Sequence, residues 1–364
     1  MWHLTYHARP VAFTLLALAT VAPEYVVDVQ LAWDAAAPST SGRAPLALAA
    51  VTGASGLLVG LAWPVVIILH WVKSGGGALS LELGQRRALW FLLLADLYAF
   101  TIYLNGFLTV LDTFLLVLLF EACVWTVWRR QEKARDLNAA ARATGAVGHR
   151  RKVATGVLVC LAAGIAADTV LVADALVIAA QSMEGDPFGL VQSLVPVASK
   201  SPLLVILAVL VWKARPAYAT SMLISSQTFQ LTVLLGSLPI AYLLNGFSLG
   251  HVATFALDDR QSAELLLTSA QSLFLIVALA RMNVSPKGAF TLMVLFTLQS
   301  ALSTLELGAG STLAQTVPAA VYLSAATVLI ARDRTRLQFL LEVIPSSWRG
   351  PHRPKTNVEG AESR

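Results

Sequence analysis

Ten apolar stretches, each long enough to cross the hydrocarbon core of a bilayer, leave this chain few ways to fold. A helix rises 1.5 Å per residue, so about 20 apolar residues cover roughly 30 Å. The stretches run approximately over 11–33, 45–72, 88–104, 107–128, 153–181, 187–212, 217–247, 262–281, 286–307 and 315–331. Strands of a membrane barrel would alternate apolar and polar residues over about ten positions, whereas these runs are continuous and about twice as long. The expected fold is all-α, a polytopic membrane protein of about ten transmembrane helices. Composition agrees, because 57% of the residues are apolar and 13% charged, against roughly 45–50% apolar in soluble domains.

The net charge of +5 invites a nucleic-acid reading, but the basic residues sit in loops and the tail, where they set topology. Lys73, Arg86 and Arg87, the cluster from Arg129 to Lys152, Lys213 and Arg215, Arg281 and Lys287, and the tail from Arg332 all fall on one side of a ten-span chain. The opposite loops carry only Arg43 and Arg260. Both termini are therefore expected in the cytoplasm, with membrane lipids as partners and no nucleic acid. Arg9, the first apolar run and Ala35-Ala36-Ala37 also resemble a secretory signal, although Glu24, Asp28 and the length of the run argue against cleavage.

Two stretches 179 positions apart read as copies of one module: Thr20-Val-Ala-Pro23-Glu24-Tyr-Val-Val-Asp28 and Ser199-Lys200-Ser-Pro202-Leu203. That offset lays span one on span six, two on seven, three on eight and four on nine. Five crossings separate the members of each pair, an odd number, so the copies are inserted with opposite orientation, as in secondary transporters. The expected organisation is a first repeat at 11–128, a basic loop at 129–152, a second repeat at 153–307, an extra helix at 308–331 and a cytoplasmic tail at 332–364. Span five has no counterpart ahead of span one, so the first repeat is expected to lack its leading helix.

Pro23 and Pro202 are expected helix breaks, since each removes a backbone donor and frees a carbonyl oxygen at membrane depth. Glu24 follows at once, and Asp28 lies one turn further on the same face. A carboxylate in a span costs roughly 3 kcal/mol and is usually kept for a pathway or a partner. The alternatives are snorkelling or a structural pairing. Lys200 stands just before the second proline, and its expected partner is Glu24; otherwise it faces a watery vestibule. Thr20 and Ser199 add hydroxyls, while Ser226, Gln227 and Gln230 on span seven oppose the first motif. Thr52 and Ser55 contribute to the site or bond back to their own helix. Asp96, Asp112, Glu121, Asp168 and Asp174 either line an access route or serve helix ends and local pairs.

Other chemistry finds little support. Cys123 and Cys160 lie in apolar runs and read as buried thiols. Gly75-Gly76-Gly77 lacks the Gly-Lys-Ser/Thr of a phosphate-binding loop. Ser199 and Lys200 suggest a hydrolase pair, but adjacent helical residues point about 100° apart. No cofactor and no enzymatic activity are expected.

The first motif, with Thr52-Gly53-Ala54-Ser55 in the next span, resembles the first α-repeat of the cation/calcium exchanger superfamily, of the sodium/calcium exchanger type. The Pro23-to-Asp28 signature is similar to a bacterial branch of sodium/proton or sodium/calcium exchangers. Val197 to Leu203 with Ser225 to Gln230 would be the second α-repeat. The resemblance implies ten or eleven helices, alternating access, a bacterial inner-membrane location and exchange of a cation (sodium, proton or calcium). The chain departs from the pattern at Leu203, where an acid is usual, at Ser55, where asparagine is usual, and at Gln227 and Phe229. A divalent ion takes about six oxygen ligands with more than one carboxylate, and the central pair here supplies Glu24 alone. A monovalent cation or proton is therefore the expected coupling ion, and a non-transporting structural or regulatory relative is the alternative.

Overall fold

The computed structural model of the chain describes residues 24–37, 44–139, 187–248, 254–304, 312–336 and 338. Thr20, Pro23, the expected fifth span with Cys160, Asp168 and Asp174, and most of the tail lie outside them. In chain order the helices are α1 (24–34), α2 (Ala44–Leu57), α3 (Trp63–Lys73), α4 (Leu83–Asn105), α5 (Val110–Ala139), α6 (Pro187–Trp212), α7 (Pro216–Phe229), α8 (Leu235–Ser248), α9 (Asp259–Leu279), α10 (Pro286–Thr304) and α11 (Leu313–Arg332). Four two-residue strands punctuate them: β1 (Leu79–Ser80), β2 (Phe107–Leu108), β3 (Phe255–Ala256) and β4 (Asn283–Val284). The protein is a helical membrane protein. Among the described residues, five helical stretches are long and apolar enough to cross a bilayer, including Pro45–Lys73, which joins α2 to α3, and Pro216–Phe247, which joins α7 to α8.

The same devices recur at the helix ends. Glu82 caps α4 and exchanges bonds with Gln85, and Asp258 caps α9 and exchanges bonds with Gln261. These reciprocal boxes satisfy amide donors that a helix start leaves open, each stabilising its helix by about 1 kcal/mol. Past the C-terminal ends, Gly106 (φ 74°) and Met282 (φ 56°) both take left-handed backbone. Each of these pairs is separated by 176 positions.

Strand pairing then fixes the relative direction of the copies. β1, ahead of α4, pairs antiparallel with β4, which follows α9; β2, after α4, pairs with β3, ahead of α9. Each end of α4 thus lies beside the opposite end of α9. The equivalent helices run antiparallel, as an inverted-topology repeat requires.

Two π-helical turns interrupt the long spans at matching places. Leu58–Ala62 separates α2 from α3, and Gln230–Leu234 separates α7 from α8. Such turns insert a widened ring into an α-helix and are frequent at functional sites. By contrast α6 continues as one helix through both Pro196 and Pro202, with Pro202 exposed. The expected break at Pro202 is therefore not an end of the helix, and the irregular backbone lies in the neighbouring spans.

Small residues let helices approach. A Cβ on Gly53 would stand 2.0 Å from the backbone oxygen of Gln192, so α2 and α6 touch main chain to main chain there. On Gly60, within the first π turn, it would overlap the ring of Phe296 on α10 at 2.1 Å. Packing of this kind holds membrane helices together where water exclusion gives no drive. One buried apolar cluster gathers Trp63, Leu89, Leu203, Met222 and Phe274, and a second gathers Leu31, Leu48, Ile102, Leu235 and Phe255.

Candidate functional site

Four polar side chains from three helical segments meet in a sealed chamber. Glu24 on α1 is 1% exposed and Lys200 on α6 is 0% exposed, and the Lys200 Nζ forms an ion pair with Oε2 of Glu24. Gln230, the first residue of the second π turn, donates from Nε2 to the other oxygen of Glu24 at 3.3 Å. Asp28 sits one turn beyond Glu24, fully buried. Glu24 and Lys200 are the charged groups that face it among the described residues, and neither of its oxygens has a hydrogen-bond partner among them.

A second contact joins the repeats through their equivalent spans. Gln227 donates from Nε2 to Oγ of Ser55 at 2.5 Å, while Ser226, also buried, leaves its hydroxyl without a hydrogen-bond partner among the described residues. Thr52 bonds back to its own helix, to the carbonyls of Leu48 at 2.9 Å and Ala49 at 3.2 Å. Aromatic rings flank the chamber, with Phe229 lying 6.0 Å from Tyr25 and 5.5 Å from Phe120 between ring centres. The Ser199 hydroxyl points at the Pro196 carbonyl, 3.3 Å away, not at Lys200. Leu203, at the position where an acid was expected, is fully buried in the first apolar cluster.

Acids elsewhere separate into different roles. Asp112 accepts from the Thr109 amide at 2.6 Å and from its hydroxyl at 2.7 Å, and the Thr109 hydroxyl takes the Asp112 amide in return at 3.3 Å, a box that starts α5. Tyr98 reinforces it at 2.5 Å. Glu121 is exposed. Asp96 is fully buried on α4 and faces the hydroxyl of Ser272, its repeat counterpart on α9. Glu264, 3% exposed, accepts from Gln192; sequence reasoning passed over it because it follows the cap of α9 so closely that it reads as a helix-end acid. Gln271, which donates to Gln299 and at 3.3 Å to Tyr322, gave no signal beyond being polar within a span. Among the described residues, no three His, Cys, Asp or Glu side chains group as metal ligands.

The profile of the family described as sodium/calcium exchanger protein matches residues 2–129. The crystal structure of the H+/Ca2+ exchanger CAX superposes with a TM-score of 0.77 at 28% identity, covering 92% of this chain and 82% of that one. The structure of native YfkE shares the fold at a TM-score of 0.52 and 14% identity, over 81% of this chain and 91% of that one. A comparison with curated proteins found no match. The motif-bearing first third of the chain matches the exchanger profile, and nearly the whole chain follows the backbone of an exchanger; both likenesses support the cation/calcium exchanger superfamily.

Proposed function

We propose that the protein is a secondary active cation antiporter whose coupling ion is a proton or another monovalent cation, with Glu24, Asp28, Lys200, Gln230, Gln227, Ser226 and Ser55 forming the ion pathway at the meeting of the two repeats. The single observation that carries this reading is the Glu24–Lys200 pair, which joins the first motif of one repeat to the first motif of the other in a space closed to solvent. Breaking a buried pair by removing one partner costs about 3–5 kcal/mol, so an ion or proton arriving at Glu24 competes with the ammonium, and its occupancy is linked to the packing of α1 against α6. Proton and calcium in the name of the CAX structure describe that protein; here the ammonium occupies the space beside the central acid.

The organisation into repeats at 11–128 and 153–307, the location in a bacterial inner membrane and the cytoplasmic placement of both termini belong to the same proposal. Reconstituted protein should carry a cation against a pH or sodium gradient, and Glu24→Gln should reduce that flux at least about tenfold, since the variant cannot exchange its charge. A second reading, a scaffold that keeps the fold without transport, is favoured by the Ser55–Gln227 bond, which ties the two repeats across the chamber. Wild-type vesicles that move none of sodium, potassium, calcium or protons would establish the scaffold instead.

A further inference from the structure

Among the described residues, charge at this site does not balance. Two carboxylates, Glu24 and Asp28, share one ammonium, Lys200, and all three are at most 1% exposed. Unpaired acceptors stand beside that charge, because both oxygens of Asp28, Oε1 of Gln227 and Oε1 of Gln230 have no hydrogen-bond partner among the described residues, where the Ser226 hydroxyl is likewise unpaired. An uncompensated buried charge is costly, and unpaired acceptors call for a positive group. We propose that Lys200 is a tethered cation that sets the valence of the cargo: with its ammonium on Glu24, the chamber is completed at Asp28 by one monovalent charge, a sodium ion or a proton, and a divalent ion is excluded.

The inference rests on the antiporter reading and gives its site a substrate class. A divalent cation entering the chamber would leave it with an excess positive charge next to the Lys200 Nζ, whereas one monovalent charge brings it to neutrality. Removing the ammonium reverses the preference, since two carboxylates one helical turn apart then match a divalent ion.

Equilibrium binding of radioactive sodium and radioactive calcium to the full-length protein in lipid nanodiscs tests this without requiring flux. Wild type should bind sodium, competed by protons as pH falls, and not calcium; Lys200→Met should gain calcium affinity by about tenfold or more, and lose it again in Asp28→Asn/Lys200→Met. Lys200→Arg, which keeps the charge, should bind no calcium. Wild type that binds neither ion, with calcium gained in Lys200→Met, would identify the monovalent cargo as the proton. Should Lys200→Met not remain monodisperse, Glu24→Gln decides: it leaves one carboxylate against one ammonium and should abolish monovalent binding, read as sodium retention or as proton release on a pH jump. Calcium binding by wild type, no calcium gain in a monodisperse Lys200→Met, or monovalent binding that survives Asp28→Asn or Glu24→Gln would overturn the proposal. Binding that follows these rules in protein that carries no flux would separate failure of the antiporter reading from failure of this one.

Discussion

At the scale of single residues, position decides whether a small side chain is tolerated or required. Gly53 lies against the Gln192 carbonyl, so Gly53→Val should force α2 and α6 apart and lower stability by about 1–3 kcal/mol, read as a lower midpoint of thermal unfolding in detergent. Gly84 has nothing within 4 Å of an added Cβ, and Gly84→Ala should leave the midpoint unchanged or raise it. Near the C-terminus, Asp333 meets Arg281 at 3.1 Å and Arg336 at 3.5 Å, and Arg336 donates to the terminal carbonyls Val277 and Ala278 of α9 at 2.6 and 3.2 Å. The Thr335 hydroxyl, first among several partners, holds the Asp333 carboxyl below its ordinary range. A lowered folded value means that the clamp's contribution is complete above the usual carboxylate value of about 4 and fades as pH drops through the lower one. Amide protection at the end of α9, taken relative to the intrinsic exchange rate at each pH, should therefore fall only in acid, and Asp333→Asn should show the lower protection at neutral pH as well. Among individual residues, Glu24 and Lys200 were legible from sequence because a charge inside a membrane needs a counter-charge and each span offered few candidates. Asp96 was visible as an acid, but its placement opposite Ser272 was not, since a hydroxyl in a span usually satisfies itself on its own helix.

Elements are fixed mainly at their ends. Gln85 closes the box of α4 by accepting the Glu82 amide at 2.9 Å, and its Nε2 reaches across to Ala217, Thr220 and Ser221 at the start of α7, at 2.8, 2.7 and 2.8 Å. Gln85→Ala should lower stability by about 1–3 kcal/mol, because it leaves buried acceptors unpaired, and Glu82→Ala, which loses only the cap, should cost less; denaturation of the two variants in parallel checks the order. Element existence followed from length and apolarity, and the described helices fall where the apolar runs predicted them. Their interruptions did not follow. Leu-Val-Gly-Leu-Ala and Gln-Leu-Thr-Val-Leu share no composition that signals a π turn, whereas Pro202 carried a strong breaker signal inside a helix that absorbs it. The turns stand 172 positions apart and the later caps 176, against 179 at the prolines, so unequal loops hid the correspondence of these elements from a single offset.

For the whole molecule, the two small sheets define sidedness. Ser80 and Asn283 belong to one, and Phe107 and Ala256 to the other. In a background without Cys123 and Cys160, cysteines placed at 80 and 283 should react with a membrane-impermeant maleimide from one side of sealed vesicles, and those at 107 and 256 from the other; labelling of 80 and 283 from opposite sides would contradict the inverted repeat. With the cytoplasmic orientation proposed above, the 80 and 283 side should face the cytoplasm, and the same labelling reads that orientation. The strand ladders carry a mechanical consequence as well. A rod fastened to its neighbour at both rims cannot slide lengthwise without unzipping both fasteners at once, so shear is denied to α4 and α9, and any rearrangement of the molecule has to turn around that braced pair.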